Sequence, residues 1–107
     1  MKLPDYIRVL GRRISVMPQP TPIAPAGTDV DGEELFITGQ YDPLNDTIKV
    51  YDAPGLPTIA GHNFVHEVIE AIDRHGDLKM NHTQISTLSS ALYAAFSDSG
   101  VSFAEAA

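Results

Sequence analysis

Asn63-Phe64-Val65-His66-Glu67-Val68-Ile69-Glu70-Ala71-Ile72 is the stretch from which the rest of the chain is best read. At 100° per residue, Phe64, Val65, Val68, Ile69 and Ile72 gather on one side, which is the pattern of an amphipathic helix. Thr58, after Pro57, is placed to cap its start, and Gly76, after His75, is placed at the C′ position. A second helix is expected from Asn81, with Gln84 completing a capping box. Its apolar face is Ile85, Leu88, Leu92 and Phe96, and Asp98-Ser99-Gly100 closes it.

Upstream the period is that of strands. Tyr6–Leu10 and Arg13–Met17 flank Gly11-Arg12 and read as a small hairpin or one bent strand. Leu35–Tyr41 and Thr47–Tyr51 form a second strand pair, with turn residues at Asp42-Pro43-Leu44-Asn45-Asp46. Residues 18–34 begin with Pro18, Pro20, Pro22 and Pro25 and read as an extended, Pro-rich connection. Residues 52–57 turn the chain after the second pair, and 101–107 read as a loose tail. The order β-β-β-β-α-α predicts an α+β fold: a small antiparallel sheet with two helices packed on it.

The chain has 107 residues, enough for one domain with a modest core. Its formal net charge of −7 and only seven basic residues argue against a nucleic-acid surface, which needs clustered Lys and Arg. No apolar run approaches a membrane-spanning length, and the N-terminal residues show no leader-like apolar segment, so a cytoplasmic setting is expected. There is no cysteine, which excludes disulfides, thiolate metal sites and a cysteine nucleophile. A metal would have to sit on imidazole and carboxylate.

The first helix offers such ligands. His62, His66 and Glu70 follow one another at four-residue steps, so neighbours share a face about 6 Å apart along the axis. His62 and Glu70, about 12 Å apart, cannot share an ion whose ligands lie roughly 3–4 Å from one another. The pair His66/Glu70 leaves Glu67 free beside the metal as a base, whereas His62/His66 brackets Asn63, Phe64 and Val65 and offers none. For a third ligand, His75 lies too far up the axis unless the helix has stopped. His82, at the start of a helix folding back on the first, is better placed. Against the metal reading, Glu67 and Glu70 read as solvated charges, His75 as a partner of the helix dipole and His62 as a surface or hydrogen-bonding residue.

From Thr58 to Phe96 the chain resembles small phage and prophage proteins that look like minimal zincins, related in pattern to the ImmA/IrrE-type metallopeptidases. The residues that carry the likeness are His66-Glu67-Val68-Ile69-Glu70-Ala71-Ile72, Asn81-His82-Thr83-Gln84-Ile85-Ser86-Thr87-Leu88 and Ala91-Leu92-Tyr93. The strands Gly39–Asp42 and Thr47–Val50 add to it, and residues 1–35 match only loosely. The resemblance implies a single zincin-like domain over 1–107, with zinc (or another divalent metal) on His66, Glu70 and His82. It implies Glu67 as general base in hydrolysis of a protein or peptide substrate. It further implies an extended substrate on the strand Thr47–Tyr51 and an oxyanion partner among Tyr41, Tyr51 and Tyr93. The chain departs from His-Glu-x-x-His in having Glu70 where the second imidazole stands. The carboxylate lowers the charge of the metal centre, makes bound water less acidic and suits harder metals. The alternative implied is a catalytically inactive, zincin-like protein-binding module.

Overall fold

The computed structural model describes residues 3–52 and 57–100; the expected turn at 52–57 and the tail at 101–107 fall wholly or mostly outside them. Two strands open the chain, β1 (Tyr6–Val9) and β2 (Arg12–Gln19). A small hairpin follows, β3 (Ala24–Thr28) and β4 (Glu34–Ile37), then β5 (Gly39–Asp42) and β6 (Thr47–Tyr51). Two helices complete it, α1 (Pro57–Gly76) and α2 (His82–Asp98). The fold is α+β. Its main sheet has the order β1-β2-β6-β5, and β3-β4 form a separate ribbon.

The pleat decides which residues meet the helices. Ile14 and Val16 of β2, and Ile48 and Val50 of β6, alternate with exposed or half-buried neighbours and are themselves buried. They meet Ala60, Phe64, Val65, Ile69 and Ala71 of α1, with Ile85 of α2 joining the same cluster. α1 lies against β5 and β6 and touches β1, while α2 packs against α1. Ser89 is fully buried and donates its hydroxyl to the Ile85 carbonyl, 2.6 Å away, so it enters the interior without an unmet polar group. The expected apolar faces hold at their centres. At their margins Ile72 and Leu88 are exposed.

The main sheet is mixed rather than wholly antiparallel. β1–β2 and β5–β6 are antiparallel, but β2 and β6 run parallel, from Ser15 opposite Thr47 to Gln19 opposite Tyr51. A parallel pair needs a long return, and the chain from Pro20 to Asp46 supplies it. That return is not a bare Pro-rich connection. It contains β3, and β2 itself runs through Pro18 to Gln19. Pro18 is accommodated because β1 pairs only as far as Ser15, so beyond it β2 has a partner on one side only. Pro25 sits at the irregularity between Pro25 and Gly27, where the ladder with β4 is already broken. The expected strand over 35–41 is divided at Thr38: β4 pairs with β3, and β5 pairs with β6.

The helix boundaries follow local chemistry. α1 starts at Pro57, so Thr58 lies within the first turn rather than before it. At the other end Gly76 is still helical and Asp77 takes the left-handed conformation, with φ 51°. The Leu78 amide then reaches back to the Asp73 carbonyl, 3.1 Å, which is the Schellman closure. Asp73 also accepts the Met80 amide on its carboxylate at 2.8 Å. One residue thus ties both halves of the turn that leads into α2. There the capping box is complete: Gln84 donates its amide to the Asn81 side chain at 2.8 Å, and Asn81 donates its own to the Gln84 side chain at 2.9 Å.

Among the described residues, no helix is long and apolar enough to cross a membrane. Asn81→Ala removes the cap of α2 and should lower the unfolding free energy by about 1 kcal/mol, read as a lower urea midpoint with an unchanged slope.

Candidate metal centre

His66 and Glu70 occupy one face of α1, a turn apart, and the Nε2 and Oε1 atoms lie 3.3 Å from each other. His82 is the first residue of α2, and its ring comes within 5.8 Å of the His66 ring, centroid to centroid. One ligand atom from each of His66, Glu70 and His82 falls within 4.8 Å of the others, the grouping expected from the sequence. Ligands of a tetrahedral ion at about 2 Å lie roughly 3–4 Å apart, so small side-chain rotations would close the set. Two imidazoles and one carboxylate form a donor set suited to zinc with a fourth position open. The side is open as well: His82 is exposed, and the side chains of His66 and Glu70 are 19% and 39% exposed.

Glu67 lies on the neighbouring sector of α1 and is buried, at 6% exposure, beneath β5. A Cβ built on Gly39 would come 2.9 Å from Glu67 Oε2 and 3.3 Å from its Cγ, so a side chain at residue 39 would force the Glu67 carboxylate to shift. The Tyr41 amide donates to the carboxylate. Burial, and then the charge of Glu70, push the Glu67 pKa up to about 7, and the Tyr41 amide offsets only part of this.

The register explains why Tyr41 has an amide to give. Tyr51 donates to the Thr38 carbonyl, so the hydrogen-bonded pairs with β6 fall at Thr38 and Gln40. Gly39 and Tyr41 therefore turn their backbone groups to the open side, where Glu67 waits. This also corrects the expected substrate edge. β6 (Thr47–Tyr51) is interior, flanked by β2 and β5, and the free edge beside the site is β5.

The remaining candidates are engaged elsewhere. His62 contacts Ser90 Oγ at 3.2 Å and meets Tyr93 edge-on at 5.6 Å, outside the three-residue group. His75 is no mere dipole partner, because its Nε2 lies 2.5 Å from the Tyr41 hydroxyl. That hydroxyl donates to Asp46 at 3.2 Å, which leaves His75 to donate its Nε2–H to the phenol oxygen. Arg12 grips the same Asp46 with two nitrogens, at 2.8 and 3.2 Å. The Arg12 hydrogen bonds hold the Asp46 carboxyl below its usual range, while burial and the Asp46 contact raise the Tyr41 phenol.

Of the three tyrosines considered for an oxyanion, Tyr41 is thus committed to this network. Tyr51 projects from β6 opposite to Ile48 and Val50, away from α1. Tyr93 lies roughly 16 Å along α2 from His82. None flanks the metal group. Two residues that sequence reasoning passed over matter more. Gly39 carried a signal, a lone glycine inside a strand pattern, which marks close approach of another group. Asp73 carried one too, an acid near a helix C-terminus, where the dipole disfavours it unless its side chain has a task.

No protein-family model, no curated protein and no solved structure matches this chain.

In metal-free protein Glu67 binds its proton more tightly folded than unfolded. Its contribution is therefore neutral below about pH 4.5, the ordinary carboxyl value, and becomes destabilising as pH rises through about 7. Glu67→Gln should match wild type near pH 4.5 and exceed it at pH 8 by ~3 kcal/mol, from urea unfolding at the two pH values. Asp73→Ala alters none of the three candidate ligands but frees the turn before His82, and should weaken binding of an added divalent-ion probe roughly tenfold in a competition titration against a chromophoric chelator.

Proposed function

We propose that this chain is a small zinc-dependent peptidase of the zincin-like kind that its sequence resembles. The observation that carries the reading is the convergence of His66, Glu70 and His82 ligand atoms within 4.8 Å, with Glu67 as the buried acid on the adjoining sector. A zinc ion on those three residues would supply a Lewis acid and lower the pKa of water toward neutrality. Glu67 takes a proton from the water that attacks the peptide carbonyl and returns it to the leaving amine. The open backbone groups of Gly39 on β5 are available to an extended peptide, so the substrate lies along β5 rather than β6.

A second reading has its own support. Glu67 is tucked under β5 with the Tyr41 amide already on it, an arrangement that equally serves a catalytically inactive, metal-stabilised module binding a protein by its β5 edge.

Protein purified without a metal-affinity tag should contain about one zinc per chain by elemental analysis, lost in His66→Ala. Glu67→Gln should keep the zinc and lose hydrolysis of a peptide mixture by roughly 10²–10⁴-fold. Zinc without hydrolysis in either protein would favour the binding module. No zinc, and no stabilisation on adding it, would remove both readings.

A further inference from the structure

One turn before His66 a second concavity opens, about 340 Å³ in volume and lined by Thr38, Ile59, His62, Asn63 and Tyr93. It adjoins the candidate centre through Gly39: a Cβ there would stand 3.4 Å from the Asn63 Cβ as well as 2.9 Å from Glu67 Oε2. A group bound in this pocket is therefore held beside the acid proposed to act on a peptide bond.

The lining has a definite chemistry. It holds four hydrogen-bonding side chains and neither a carboxylate nor a lysine or arginine. Among the described residues the Thr38 hydroxyl, the Asn63 carboxamide and the Tyr93 hydroxyl have no hydrogen-bond partner, in contrast to Tyr41 with its two. His62 is oriented from behind by Ser90 Oγ at 3.2 Å, and it meets Tyr93 edge-on with the ring planes at 86°. Thr38, Asn63 and Tyr93 can each both donate and accept a hydrogen bond. Ile59 adds one apolar wall.

We propose that this pocket is a specificity subsite for a substrate side chain flanking the scissile bond. It takes an uncharged side chain that both donates and accepts hydrogen bonds, the carboxamide of Asn or Gln. The assignment rests on the peptidase reading for the word substrate, but the pocket's preference is a property of binding alone. An apolar side chain would strip water from several donors and return nothing, and sites built to hydrogen-bond a group discriminate strongly against ligands lacking it. A charged side chain of either sign would find no counter-charge in the lining.

The test uses Glu67→Gln protein with zinc added and the peptides Ac-Ala-Ala-Xaa-Ala-Ala-NH2, with Xaa as Glu, Gln, Leu or Lys. Binding is followed by amide chemical shifts. The Gln peptide should bind about tenfold more tightly than the Glu, Leu and Lys peptides, with the largest shifts around Thr38, Asn63 and Tyr93. The near-isosteric variants Thr38→Val and Tyr93→Phe, each checked by thermal melting, should shrink that advantage without weakening the Leu peptide. Equal affinity for all four peptides, shifts centred elsewhere, or no binding overturns the subsite. Wild-type protein is incubated with the same peptides in parallel. A Gln preference without cleavage keeps the subsite and removes hydrolysis, so the two ideas fail separately.

Discussion

The close approach of α1 to β5 is the constraint on which the arrangement rests. Glu67 lies beneath the strand at Gly39, where an added Cβ would stand 2.9 Å from its Oε2 and displace the carboxylate from this position. Were α1 lifted away, Ala60, Phe64, Val65 and Ile69 would withdraw from Ile48 and Val50, and the core would open with the site. The strand is held at its height by its own far end. Tyr41, whose amide meets Glu67, has its ring fixed by Asp46 and His75, and Asp46 is fixed by Arg12. Residues from β2, the β5–β6 turn and the last turn of α1 therefore converge on the placement of one carboxylate.

The second half of the site depends on a turn. His66 and Glu70 come together through helical geometry alone, but His82 must be delivered by the chain reversal after α1. Asp73 does this with its carbonyl and its carboxylate, and the Asn81–Gln84 box then sets the direction of α2. Ligands on helices joined by a hydrogen-bonded turn are better positioned than ligands on a loop, because little conformational freedom remains to be lost on binding.

What could be read in advance follows from the range of the interactions. The β1–β2 hairpin, both helices and the capping box are set by residues a few positions apart, and the His66/Glu70 spacing is of the same kind. The parallel pairing of β2 with β6 is different. Periodicity tells that Ile14, Val16, Ile48 and Val50 share an inward face, but not which strand lies beside which or in which direction. The break at Thr38 escaped for the same reason, since the halves of that segment are distinguished only by their partners. Prolines 18 and 25 misled because proline forbids a position in a ladder, not a strand with one side open. At the end of α1 the turn favoured Asp77 over Gly76 for the left-handed residue, one step from the expected place.

Burying Glu67 opposes folding, and an acidic chain with a net charge of −7 makes it harder, with Glu70 as the nearest repelling charge. A fold does not keep such a group for stability, because an apolar residue of similar volume in its place would avoid the loss. The two carboxylates stand on adjoining sectors of α1, beside two imidazoles whose nitrogens accept a cation when neutral. A divalent ion at His66, Glu70 and His82 would replace the repulsion between Glu67 and Glu70 by attraction to a common positive charge. It would also join α2 to α1 at the turn that Asp73 closes. Binding there is then linked to the stability of the whole chain, since an ion that prefers the folded state shifts the folding equilibrium toward it. The feature that is least favourable in the metal-free fold is the one that gains most from a cation.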